Sequence, residues 1–228
     1  MANKKTISKK KVSKNIGKSV RDNENRQLIW FFVVVGIVFA GVLVPYFWIE
    51  SSKNFEYVGA DWLVEDYDYL KIFHGRFLSF GNPNLHYNIF LRIDPRDNDV
   101  STTGVFDTFK YGGVVSLSSG VDKCRGEIGR GVFDLSAFLS QGVGVEVLES
   151  GSTDEFIAIE EDRRFATCDT VLDRTLVIVE IGEEAEVFKD EKNPYCYTII
   201  AKDCEDISGI EKFMVKSIED FGATREVV

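Results

Sequence analysis

The chain has 228 residues, 44% of them hydrophobic and 18 of them Phe, which is ample for a folded core and too apolar for an intrinsically disordered protein. Its net charge of −10 is unevenly divided: residues 1–27 hold nine basic and two acidic side chains, residues 28–49 hold none, and the remainder carries −17. A domain this acidic repels phosphate backbones, which argues against nucleic acid as its partner.

Residues 1–27 are rich in Lys, Ser and Asn, the composition of a disordered basic tail. The uncharged stretch Leu28 to Ile49 follows, and as a helix its 22 residues would rise about 33 Å, against a hydrocarbon core of about 30 Å. Fifteen of them are Leu, Ile, Val or Phe, worth roughly −4 to −9 kcal/mol of insertion free energy at the bilayer centre. Trp30 lies near one end, and Tyr46 and Trp48 near the other, where amphipathic rings favour the headgroup level. The stretch therefore reads as a transmembrane helix with the lipid bilayer as its partner. It is too long, and too far behind the N-terminus, for an ordinary cleaved signal. Gly36 and Ala40, four apart, would let two such helices approach closely, a route to a homodimer. Lys14, Lys18, Arg21 and Arg26 crowd the leading flank, whereas Lys53 stands alone on the other until Lys71. That asymmetry predicts a cytoplasmic N-terminus and, after a connector at 50–54, an extracytoplasmic domain over 55–228 at the cell surface. The basic tail is too short to hold a cytoplasmic output domain.

Within that domain, the runs 70–80 and 85–93 flank Gly81-Asn82-Pro83-Asn84 and predict an antiparallel hairpin. Leu85, Tyr87, Ile89, Leu91 and Ile93 alternate with His86, Asn88 and Arg92, so the former should face the core. A turn at 81–84 sets Phe80 opposite Leu85, His86 opposite Ser79, and His74 opposite Leu91. A loop at 94–103 leads to expected strands at 105–110 and 114–118. Ile128, Val132, Leu135 and Leu139 then recur at helical spacing, with Gly142 as the stop, and a strand is expected at 143–148. Strand, helix and strand in this order imply a β-α-β unit over 114–148. Arg174–Ile181 reads as a central strand, turning at Gly182–Glu184 toward 185–188, and Tyr195–Ala201 as another. Ser208 and Glu211 fit a capping box opening a last helix through Ile218. The fold class is α+β: an N-terminal transmembrane helix, then one strand-rich domain with an antiparallel hairpin half and a small β-α-β half.

All four cysteines, Cys124, Cys168, Cys196 and Cys204, lie beyond the apolar stretch, as expected for two disulfides in an oxidising compartment. Intervals of 43, 27 and 7 residues, with no C-x-x-C pair, argue against zinc. If the strand at 195–201 stays extended to Cys204, Cys196 and Cys204 lie beyond the roughly 7 Å Cα limit of a bridge. Each is therefore expected to pair with Cys124 or Cys168. No N-x-[ST] triplet offers a site for N-glycosylation.

The stretches HGRF (74–77), YNIFLRIDPRDNDV (87–100), FDLSAFL (133–139) and NPYCYTIIAKDC (193–204) resemble uncharacterised single-pass membrane-anchored proteins of archaea with small genomes. The resemblance runs from the apolar helix to near the C-terminus. It implies an anchor followed by a cysteine-bearing outer domain and brings no functional residues with it.

Chemistry is sparse. His74 and His86 are the only histidines, several residues apart on the predicted hairpin, and no G-x-S-x-G marks a nucleophile. Gly126, Gly129 and Gly131 match no phosphate-binding loop. Asp94, Asp97 and Asp99 supply hard oxygen ligands and are the best candidates for a cation such as Ca²⁺. They lack the spacing of a calcium loop, and Arg96 stands among them; a solvated turn accounts for them equally well. Neither a metal nor a cofactor is expected. The anchor, with no catalytic cluster in the sequence beside it, favours a non-enzymatic domain that acts structurally, adhesively or in assembly, through a protein partner outside the cell. An extracytoplasmic hydrolase with a site scattered through the sequence is the alternative.

Overall fold

The computed structural model describes Arg26, residues 28–48 and residues 53–225. The rest of the basic tail, Ile49 and residues 50–52 lie outside the described residues. The chain divides into two compact units, Met1–Ser52 and Lys53–Val228. In the first, helix α1 (Leu28–Trp48) is 21 residues of apolar side chains with none of its most apolar window buried, long and apolar enough to cross a membrane.

The second unit opens with an antiparallel meander of four strands: β1 (Asn54–Tyr57), β2 (Ala60–Tyr67), β3 (Leu70–Leu78) and β4 (His86–Leu91). Alternation sends Trp62, Phe73, Phe77, Ile89 and Leu91 into the core. Gly75 lies beneath Trp62, where a Cβ would come within 2.7 Å of the indole and 2.8 Å of Ile89. The hairpin is real, but its register differs from the expectation by one residue. Leu78 faces His86, and His74 faces Phe90. Phe80 has left the ladder: its N–H donates to Gly142 O, and its ring stacks on Phe221 at 4.0 Å. Ser79 closes the hairpin instead, donating to Leu85 O, and Leu85 is exposed rather than buried.

The rest of the chain builds a mixed seven-stranded sheet. Its strands are β5 (Ser101–Thr103), β6 (Gly112–Leu117), β7 (Val147–Ser152), β8 (Arg164–Phe165), β9 (Thr175–Ile181), β10 (Glu186–Lys189) and β11 (Cys196–Ala201). They lie in the order β5-β10-β11-β9-β6-β7-β8. From β11 to β8 the neighbours are parallel, while β10 is antiparallel to β11 and parallel to β5. The parallel part is thus larger than the small unit expected. The helices are α2 (Ser119–Asp122), α3 (Glu127–Ala137), α4 (Glu155–Glu160) and α5 (Ser208–Arg225).

The β-α-β unit is present as β6, α3 and β7, with β6 and β7 parallel. Its end differs from the expectation, because the helix continues past Ala137 as a π turn over Phe138–Val143 and stops at left-handed Gly144 (φ 95°). Gly142 is needed for space instead, since a Cβ there would meet Phe138, Tyr87 and Phe77 at 3.1–3.3 Å. The paired strand therefore begins at Val147 rather than 143. No strand forms at 105–110. Phe106 N–H donates to Asp220 of α5, Lys110 N–H donates to Thr175 Oγ1, and the rings of Phe106 and Phe109 pack on Tyr197 and Phe213. Those backbone bonds leave the segment wrapping the sheet rather than joining it.

The last helix has the expected start but a different cap. Asp206, not Ser208, provides the carboxylate, accepting from both the N–H and the hydroxyl of Ser208. Glu211 turns away from the helix end altogether. Along α5, Ile210, Phe213, Met214, Ser217 and Ile218 are buried at helical spacing.

One face of the large sheet, with Val115, Val177, Val179, Tyr197 and Ile199, shares a continuous core with α3, α5 and the inner face of the meander. The opposite face, with Val114, Leu176, Ile178 and Cys196, is covered by Ala166, Cys168 and Val171 of the β8–β9 connection. Cys168 is bonded to Cys196, which fastens this cover to β11, and Cys124 is bonded to Cys204.

Candidate functional site

Strands β9 and β11 end, and β10 and β5 begin, on the same side of the large sheet, where α5 also starts. A polar cleft of about 390 Å³ opens there, lined by Asp97, Asp99, Glu184, Lys202, Ser208 and Ile93 among others. In parallel α/β sheets, ligands bind outside the carboxyl ends of the strands, which is where this concavity lies.

One wall of the cleft is the acidic loop. Arg96 grips Asp94 through Nε at 2.9 Å and Nη2 at 2.6 Å, and these bonds hold its carboxyl below the usual range. Arg96 also lies 3.8 Å over the ring of Phe55. Asp97 and Asp99 line the cleft without Asp94. Asn98, between them, is buried and donates from Nδ2 to Ser208 O. Among the described residues, no group of three His, Cys, Asp or Glu side chains is arranged to hold a metal ion.

What fixes this wall is α5. Lys212 Nζ donates to Asn98 O at 2.7 Å, and Glu211 accepts from the backbone N–H groups of Arg92 (2.8 Å) and Ile93 (2.9 Å). Glu211 is only 3% exposed. Burial pushes its carboxyl up to about 7, against the two N–H donors and the Arg130 charge that favour the ion; Asp134 adds to the rise. Sequence reasoning assigned Glu211 to a helix cap because S-x-x-E is the capping-box signature. Nothing in the local sequence distinguishes a glutamate that caps its own helix from one that caps another strand's end.

The disulfide Cys124–Cys204 joins the segment between α2 and α3 to the β11–α5 connection, with Cα atoms 5.2 Å apart. Ile128 N–H also donates to Cys204 O. Gly126, with φ 86°, allows the chain to turn into α3 there, and Gly131 gives room to Ile210 of α5.

The two histidines lie on the outer face of the meander. His74 stacks on Phe90 at 4.5 Å and places Nδ1 3.1 Å from Glu65 Oε1 and Nε2 3.1 Å from Asn88 Oδ1. Tyr67 donates to the other oxygen of Glu65 at 2.6 Å. His86 is exposed opposite Leu78. A row Leu63–His74–Phe90 therefore crosses three strands, with Leu63, Leu78, Phe90 and Tyr67 exposed on this face.

No protein-family model, curated protein or solved structure matches this chain.

Proposed function

We propose that this protein is a membrane-anchored domain, displayed on the extracytoplasmic side, that works through contact with another protein. The observation that carries the contact is the outer face of the meander. It exposes Leu63, Tyr67, Leu78 and Phe90, with His74 stacked on Phe90 between the strands that carry Leu63 and Phe90, and no other described element of this unit covers them; exposed apolar and aromatic side chains set among polar ones are the composition of a binding face. The placement is supported by helix α1, by two disulfides of the type that persist in oxidising compartments, and by the cationic flank before α1. The test is a photoreactive amino acid at Phe90 in native membranes, with Lys192 as the control position. The reading expects a discrete protein adduct from position 90 and none from 192. No adduct from Phe90, or equal adducts from both, contradicts it.

A hydrolase reading has one observation in its favour, the His74–Glu65 pair. In a nucleophilic dyad the outer ring nitrogen faces the nucleophile. Here Nε2 faces Asn88 instead, on an open sheet face rather than in a cleft. The pair orders the surface row. Asn88→Ala should leave the surface without hydrolytic activity toward generic ester substrates; activity gained by that variant would revive the enzyme reading.

A further inference from the structure

The first two turns of α5 clasp the segment 92–98 at three points: Glu211 holds the N–H groups of Arg92 and Ile93, Ser208 O accepts from Asn98, and Lys212 donates to Asn98 O. Ile93 and Asn98 are themselves walls of the polar cleft. Glu211 is the carboxylate among these partners, and it is buried. An ionised carboxylate accepts at both oxygens. A protonated one keeps full acceptor strength at its carbonyl oxygen alone; its hydroxyl oxygen accepts far more weakly, so the N–H bonded there is all but released.

We propose that Glu211 is a proton-operated latch: ionised, it holds both backbone amides at the end of β4, and on taking up a proton it releases one and loosens the wall of the cleft. The charged groups that reach it come from α3, where Arg130 favours the ion and Asp134 opposes it. Asp134 is in turn paired with Arg130, and Arg130 with Glu127, which lies 3.9 Å from Arg92 at the strand end. Tyr87 of β4 faces Asp134, and burial pushes its hydroxyl up to about 12, so it stays neutral throughout. The Arg130 Nη2 group is buried with no hydrogen-bond acceptor, so the network around Glu211 holds an unused donor. Burial of Glu211 brings its titration to about 7, where both forms are populated. The latch is a property of the wall and holds whatever occupies the cleft.

The experiment is residue-resolved amide exchange on the full chain in detergent micelles at pH 6 and pH 8, corrected for intrinsic rates. Protection of the Arg92 or Ile93 amide should fall several-fold from pH 8 to pH 6, while β9 amides keep theirs. In Glu211→Gln, which fixes a neutral side chain, protection should be low at both pH values. Unchanged protection at Arg92 and Ile93 in the wild type overturns the latch, and so does a loss shared equally by β9. The wild-type titration decides the matter even if the variant folds poorly.

Discussion

The two sheets of the folded unit treat burial in opposite ways. The meander covers one face and leaves the other open, so Trp62 and Phe77 are buried while Phe90 and Leu78, on the same strands or their neighbours, are exposed. The seven-stranded sheet is covered on both faces, by α3 and α5 on one side and by the stapled 166–173 segment on the other. On the large sheet the Cys168–Cys196 bond ties the second cover to β11, whereas the meander's outer face carries no cover from this unit. On the function proposed above, the division places stability in one layer and recognition in the other.

The difference should appear first in the disulfides. Closing 80 residues, Cys124–Cys204 should contribute about 4.5 kcal/mol by loop entropy. Cys168–Cys196, closing 28, should contribute about 3.6 kcal/mol. Paired Cys→Ser variants compared by denaturant unfolding should rank in that order, and a reversed ranking would mean that the cover over β11 matters more than the longer loop. Next, Leu176→Ala on the stapled face should cost about 3 kcal/mol, as much as a substitution in the shared core. A cost below about 1 kcal/mol would show that second face to be loosely covered.

The pH dependence is smaller and has a definite sign. Burial raises Glu211 from its ordinary value of 4.5 to about 7, so the stability linked to it is complete in acid and is lost as pH rises through 7. Wild-type stability should therefore fall by about 2 kcal/mol from pH 5 to pH 8, a slope that Glu211→Gln removes. Global stability and the local latch move in opposite directions because desolvating the ion costs more than the one amide bond that protonation gives up. Smallest of all, Phe90→Ser on the open face should change stability by under about 0.5 kcal/mol while weakening the adduct formed by a photoreactive residue placed at Leu78 on the same face. A large loss of stability would mean that the face is structural.

Much of this fold was legible because burial imposes a period. The alternation from Tyr87 to Leu91, the helical spacing of Ile128, Val132 and Leu135, and the apolar run Leu176–Val179 all report what each face touches. The errors fall where tertiary contacts outweigh local pattern. Phe80 shifted the hairpin register because Phe77 and Phe221 offered its ring a better place than the ladder did. Phe106 and Phe109 kept 105–110 out of the sheet because their rings complete the cluster around Tyr197. The hairpin of β1 and β2 carries a weaker signal, the alternation of Ala60, Trp62 and Val64 after Val58-Gly59. Helix α4 is too short to show a helical period, and its one local signal is the cap Asp154, which accepts from Phe156 N and Ile157 N. Of the candidate site, the acidic loop was visible and its partners were not. Glu184, Lys202 and Ser208 reach it from segments about a hundred residues away, a proximity that only the topology creates.

The most direct test of the placement is a paired measurement on intact cells. Added protease should digest the acidic domain from Lys53 onward, and all four cysteines should resist alkylation until a reductant is supplied. A domain spared by protease, with its thiols freely alkylated, would put it on the reducing side of the membrane and contradict the account.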